Sequence, residues 1–275
     1  MPPTYLSTLA AFTSFLTAYT HTLLYLRTLY PRTSFVHSRF HNTSVYQSRH
    51  PLVCEWIRDA LSAVHAQLLT GSLSRIGIVI FAQHNANDDQ TGSAAILERY
   101  MVDVSRFPVV EKSERETRIE WASDSRSPSP DDNIPARDDD EDVDANLSEQ
   151  FRAALIALTT RTAQLAPLPP SCSFNVAMEL KDEMGVDPPI AHPMPWVPVQ
   201  PSLQKTGRGG VGETKKQKTG KRGEDDMERE EDDGKEGADL GGVRVTPIRS
   251  VQAGVFRFET WVEEGRAKFD IKGKA

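Results

Sequence analysis

Val243-Arg244-Val245-Thr246-Pro247-Ile248 and Val255-Phe256-Arg257-Phe258-Glu259-Thr260-Trp261-Val262 read as strands, and they follow about forty residues, 202–242, with nothing to bury. A pair of strands this short has no core of its own and is marginal alone. It must therefore return to a sheet built much earlier in the chain. A C-terminal strand segment on a long tether, docking on a distant domain, can open and close around a ligand.

The apolar residues of the 275-residue chain are concentrated in a few blocks, which leaves about 190 residues of foldable sequence. One domain spanning 1–275 is expected, padded by an acidic insert at 112–146 and a charged insert at 202–242, both too poor in apolar residues to order themselves. The net charge of −7 disfavours a dedicated nucleic-acid surface, because neutralising phosphates needs a concentrated basic face. No direct nucleic-acid contact is expected; if DNA matters, a partner touches it. Cys54 and Cys172 lie far apart, without a disulfide framework or a CxxC metal signature, as suits a reducing compartment. The apolar stretch 5–30 lacks a basic leader and is broken by threonines, His21 and Arg27, so neither a signal peptide nor a membrane span is expected.

From Leu9, the residues Phe12, Phe15, Leu16, Tyr19, Leu23, Leu26 and Tyr30 recur at three- and four-residue steps, a long amphipathic helix that Pro31 should end. Residues 32–49 show no sustained period and read as irregular. His50-Pro51 opens a second helix with Val53, Ile57, Leu61, Val64 and Leu68 on one face, closed by Gly71. The continuous run from Ile76 to Phe81 predicts a central strand covered on both faces. A further strand over 96–104 puts Tyr100, Val102 and Val104 on one side and Arg99 and Asp103 on the other. Leu147, Phe151, Leu155, Leu158 and Leu165 predict a third helix. Pro169-Pro170 forms a turn, Cys172 to Leu180 a strand, and the proline-rich block 189–201 an extended segment. The order predicts an α+β domain, three main helices on a mainly antiparallel sheet.

Chemistry-bearing patterns are sparse. His50 and Cys54, and His37 and His41, have the i, i+4 spacing of paired metal ligands, but capping and surface roles account for both, and no metal is assigned. Cys54 has no Cys-His-Asn/Asp arrangement to make it a nucleophile; a cysteine enzyme would need Cys54 or Cys172 exposed beside a base. Gly209-Gly210-Val211-Gly212 lies in a low-complexity tract and not between strand and helix, so it is no phosphate loop. No catalytic residue and no cofactor is assigned. Lys215 to Arg222 reads as a nuclear-import signal or as a solvated linker, and Ser127-Pro128 and Ser129-Pro130 as possible phosphate acceptors. Trp56, at the border of the second helix's apolar stripe, and Trp196, among prolines, are core-edge residues or an aromatic groove for a proline-containing peptide.

Taken together, 23–31 (LLYLRTLYP), His50-Pro51 with Ile57-Arg58-Asp59, Ile76 to Phe81, 169–174 (PPSCSF), Pro195-Trp196 and Trp261-Val262-Glu263-Glu264 resemble, in order, the HORMA family, and within it the non-catalytic subunit of DNA polymerase zeta. The resemblance implies a HORMA-like fold with a C-terminal safety belt over 189–275, and a nuclear, non-catalytic adaptor for translesion DNA synthesis. It implies that Trp56 and Trp196 line the site for a proline-containing peptide of the catalytic polymerase subunit, with tryptophan where tyrosine is common at 56. It implies that Val245, Glu259 and Trp261 face the scaffold polymerase that inserts deoxycytidine, in place of leucine, glutamine and tyrosine. Glu259 departs most, since a carboxylate only accepts where an amide also donates. Arg152, otherwise a solvated helix residue, matches a position at which such domains pair as homo- or heterodimers. The rival within adaptors is a spindle-checkpoint HORMA protein binding checkpoint regulators; the two tryptophans and Pro169-Pro170 favour the first.

Overall fold

α1 (Tyr5–Leu26) starts on a capping box, Ser7 N–H donating to Thr4 Oγ1 at 3.1 Å and Thr4 N–H to Ser7 Oγ at 2.8 Å. Its residues Leu9, Phe12, Phe15, Leu16, Tyr19 and Leu23 are buried, and from Tyr19 to Leu24 burial wraps the whole helix. The helix stops at Leu26, before Pro31. Arg27 caps it and turns its guanidinium into the protein, and Thr28 takes a left-handed φ of 56°, so the helix is unwound before the proline can end it. The computed structural model describes residues 4–82, 95–119, 139–181, 196, 244–253, 255–265 and 267–272.

Residues 32–49, expected to be irregular, contain a hairpin: β1 (Phe35–Phe40) pairs antiparallel with β2 (Thr43–Ser48), Phe35 opposite Ser48 and Phe40 opposite Thr43. Its turn, His41-Asn42, has positive φ at both residues (44° and 57°), as a two-residue type I′ turn requires, without the glycine that usually signals one. β2 lies along α1, where Tyr46 N–H donates to Thr22 Oγ1 at 3.3 Å and Ser48 N–H to His21 Nδ1 at 3.4 Å. α2 (Pro51–Thr70) begins with proline at its first turn and ends on Gly71, whose φ of 72° is the left-handed C-cap that favours glycine.

β3 (Leu73–Ala82), β4 (Ala95–Asp103), β5 (Cys172–Leu180), β6 (Arg244–Ala253) and β7 (Phe256–Glu264) form one sheet in the order β5-β3-β4-β7-β6, every pairing antiparallel. The centre is β4, not the apolar run of β3. β3 is also less covered than expected: Ile76, Ile78 and Ile80 are buried, but Val79 and Phe81 are half-buried on the sheet's other face. On the helix side the C-terminal strands enter the same core as the N-terminal helix. Phe258 lies 5.1 Å from Phe12 and 5.5 Å from Phe15, and Phe15 stacks on Phe151 at 4.7 Å. Truncating a buried phenylalanine here costs about 3–5 kcal/mol, so β7 is part of the body of the fold.

α3 (Asp139–Thr162) buries Phe151, Ala154, Leu155 and Leu158 and packs beside β6, and a short helix α4 (Ala267–Lys272) follows β7. α3 begins eight residues earlier than its apolar pattern, inside the acidic run, a composition that suits a helix N-terminus. The other end of the tract 112–146 is also tied down. Leu6 N–H donates to Arg115 O at 3.3 Å, and Arg115 Nη2 donates to Leu69 O at 2.8 Å. Residues 120–138, the block 189–201 apart from Trp196, and the tract 202–242 with its lysine cluster lie outside the described residues.

Candidate functional site

β5 is an edge strand: β3 pairs with one side of it, and among the described residues nothing pairs with the other. That side is a row of unused backbone donors and acceptors, the template for adding an extended peptide. Aromatic rings stand beside it. Trp56 of α2 packs edge-on against Phe174 of β5 at 5.1 Å, and Tyr30 also meets Phe174 edge-on, at 6.5 Å. Trp56 is half-buried, on the border of the α2 stripe as its spacing indicates. Trp196 is also half-buried and packs against the edge of the core; among the described residues no ring contact joins it to Trp56. Leu52, one turn before Trp56, is 68% exposed and continues the apolar surface.

The face of the sheet away from the helices gathers the other candidates. By register, Val245 sits opposite Glu263, Trp261 between Met101 and Pro247, and Glu259 between Asp103 and Ser250. Val245, Glu259 and Trp261 therefore lie on one face. Charged groups surround the indole on that face: Arg99 pairs with Glu263 at 2.7 Å, Arg75 with Asp103 at 3.3 Å, and Arg75 lies over the Trp261 ring at 5.8 Å. Trp261 Nε1–H donates to Glu263 Oε1 at 2.8 Å, so the ring presents its apolar surface with its polar atom already satisfied. Glu259 is exposed and accepts from Arg257 at 3.2 Å. Hydrogen bonds from Ser105 and the charge of Arg75 hold the half-buried Asp103 carboxyl below its ordinary value against the opposing effect of burial.

Arg152 lies on the outer side of α3, paired with Glu149 at 3.1 Å, with Ile156 exposed one turn further on. The histidine and cysteine pairs do other work. His37 and His41 are on the hairpin, the second bonded to Ser148 Oγ at 2.6 Å, while Cys54 donates to Ser48 O at 3.0 Å. Among the described residues no three metal-ligating side chains cluster, and none of their helices is long and apolar enough to cross a membrane.

One constellation was missed in the sequence. Glu98 is fully buried, and Arg27 grips both its oxygens, at 2.9 and 2.6 Å. Lys268 of α4, also buried, donates to Glu98 and Glu264 at 2.5 Å each, and Tyr100 OH donates to Glu98 at 2.9 Å. Arg27 also donates to Ala166 O at 2.7 Å. Burial, and then the charge of Glu98, pushes the Tyr100 phenol well above its ordinary value, which keeps it a donor. The cluster joins the end of α1, the loop after α3, β4, β7 and α4. Its signal was present: Glu98 and Glu264 share the parity of the apolar positions Tyr100 and Val262, so each is a charge where the strand pattern demands an apolar residue.

The solved structures similar to this one share its architecture. A chain of a crystallised mitotic checkpoint complex superposes with a TM-score of 0.56 at 15% identity, over 93% of this chain and 97% of the other. C. elegans HTP-2 bound to a HIM-3 closure motif gives 0.50 at 12%, over 96% and 92%. In sequence, the chain is 29% identical over 171 residues to the DNA polymerase zeta processivity subunit of Schizosaccharomyces pombe, spanning 62% of this chain and 68% of that one. It is 22% identical over 159 residues to the Arabidopsis thaliana protein of the same description, spanning 58% and 57%. The HORMA domain model matches residues 8–196, from α1 to the half-buried Trp196. With helices, sheet and sequence all in agreement, the chain belongs to the HORMA domain family.

Proposed function

We propose that this protein is a nuclear, non-catalytic adaptor subunit of DNA polymerase zeta. It takes up a proline-containing peptide of the catalytic subunit and offers a second face to the scaffold translesion polymerase that inserts deoxycytidine. The observation that carries the reading is the outer side of β5, unpaired among the described residues, beside Trp56, Phe174 and Tyr30. An extended peptide adds there as a sixth strand through main-chain hydrogen bonds, and the rings grip its prolines. The segment 189–275 acts as the safety belt, its strands β6 and β7 forming the end of the sheet opposite β5 and its Trp196 serving the peptide site. The names of the fission-yeast and plant relatives support the polymerase assignment.

Val245, Glu259 and Trp261, on the open face of the sheet, form the scaffold-polymerase surface, and Arg152 with Ile156 the surface at which two HORMA domains pair. The test is titration of a labelled catalytic-subunit peptide. Trp56→Ala and Trp196→Ala each weaken it about thirtyfold, the loss of roughly 2 kcal/mol typical of an aromatic hot spot, while thermal unfolding confirms the fold. Trp261→Ala leaves the peptide affinity in place and weakens the scaffold contact. A peptide affinity that both tryptophan variants retain refutes the groove. Truncation after Gly242 is a poor probe of the belt, because it removes β7, whose Phe256, Phe258 and Val262 are core residues.

A further inference from the structure

The first 54 residues contain four arginines, no lysine and no aspartate or glutamate, so every acidic residue behind the chain's net −7 lies downstream of them. Arg27 goes into the interior; Arg32, Arg39 and Arg49 are exposed around the β1–β2 hairpin. The register puts His37 opposite Tyr46 and Arg39 opposite Ser44, and strand alternation places all four on one face. Tyr25, from the last turn of α1, lies flat against Tyr46, the rings 3.5 Å apart and 11° from parallel. The Arg32 guanidinium sits 5.4 Å over the Tyr25 ring, and His37 meets Tyr46 edge-on at 5.7 Å. Arg32, His37 and Arg39 are exposed, Tyr25 and Tyr46 half-buried, and among the described residues neither Arg32 nor Arg39 pairs with a carboxylate.

This is the local basic face that the net charge concealed, and rings are set among its cations. We propose that it binds single-stranded nucleic acid, with phosphates on Arg32 and Arg39 and a base stacked beside His37 on the side of Tyr46 away from Tyr25. The rings decide the class of ligand. An acidic peptide needs the cations but has no use for a stacking platform, and a duplex keeps its base faces covered, whereas an unpaired base has an open π-face for Tyr46. The hairpin is a two-stranded sheet of its own, not part of the five-stranded sheet that carries the β5 edge and the open face.

The test uses the full chain and a fluorescein-labelled twelve-residue oligothymidylate, read by anisotropy. Two phosphate contacts on a single strand give a slope of about −1.4 in log affinity against log salt, so binding falls about sevenfold between 50 and 200 mM salt. Tyr46→Ala weakens binding about tenfold, the loss of one base stack, and Tyr46→Phe, which keeps the ring, restores it. The double change Arg32→Ala with Arg39→Ala, at exposed positions that leave the fold intact, flattens the salt slope. Replacing Lys215, Lys216 and Lys218 by serine leaves the Tyr46 effect unchanged. The proposal is overturned by any one of four results: Tyr46→Ala binding like the unaltered chain, no binding at 50 mM salt, a duplex of the same length binding as tightly, or a decaglutamate peptide competing as well as unlabelled oligothymidylate.

Discussion

Lys268→Met keeps the aliphatic stem of a fully buried lysine and removes its charge. The cluster it belongs to is neutral as built, with Arg27 and Lys268 balancing Glu98 and Glu264, all four at 5% side-chain exposure or less. Without Lys268, the two carboxylates are left with one cation, and Glu264 loses its partner among the described residues. Breaking a buried pair in this way costs about 3–5 kcal/mol, because a charge is stranded where water cannot reach it. For a domain of this size each kilocalorie lowers the midpoint by about 2–4 °C, so Lys268→Met should unfold about 6–20 °C earlier at pH 7. Adding Glu264→Gln restores neutrality and should recover part of the loss, a coupling that a double-mutant cycle in urea reads directly. A single variant within about 1 kcal/mol of the unaltered chain, or a double variant whose loss equals the sum of the singles, would refute the claim that one ionic cluster locks α4 and β7 to the core.

Gly265→Ala would put a Cβ 2.5 Å from the carbonyl oxygen of Ile96, backbone against backbone, next to the Gly265 N–H bond to Leu97 O at 2.8 Å. An overpacking loss of about 1–3 kcal/mol is expected in urea unfolding, and an unchanged midpoint counts against this close approach. Burial lowers the proton affinities of His21, His41 and His65 below the ordinary 6.5, so the unfolded chain binds more protons as the pH falls through that value. Stability should therefore decline from pH 7 to pH 5 and His21→Asn should shallow the decline; a midpoint that rises toward pH 5 contradicts the sign. Arg152→Ala should shift sedimentation toward monomer with peptide binding intact, and an oligomer that ignores the change returns Arg152 to an ordinary surface residue paired with Glu149.

Sequence by itself determined the elements whose burial is local and periodic. The three- and four-residue steps of Phe12, Phe15, Leu16 and Tyr19, the His50-Pro51 start and Gly71 stop of α2, and Cys172 to Leu180 are set by patterns within a few turns or one strand. The dependence of the C-terminal strands on a distant sheet was legible too, since their only possible core lay elsewhere. What the tertiary structure decided was everything that needs two distant segments at once. The hairpin at 35–48 carries no glycine and no long apolar alternation; two of its β2 backbone donors are satisfied by Thr22 and His21 of α1, over twenty residues away in sequence. β4 became the centre of the sheet only because β7 returned to its free side. Glu98, Glu264 and Lys268 look like misplaced surface charges until Arg27, 71 residues before Glu98, closes the neutral cluster. The same holds for the surfaces: Trp56 and Phe174 meet across 118 residues because α2 packs on β3, the strand beside β5, and no spacing rule records a contact made by packing.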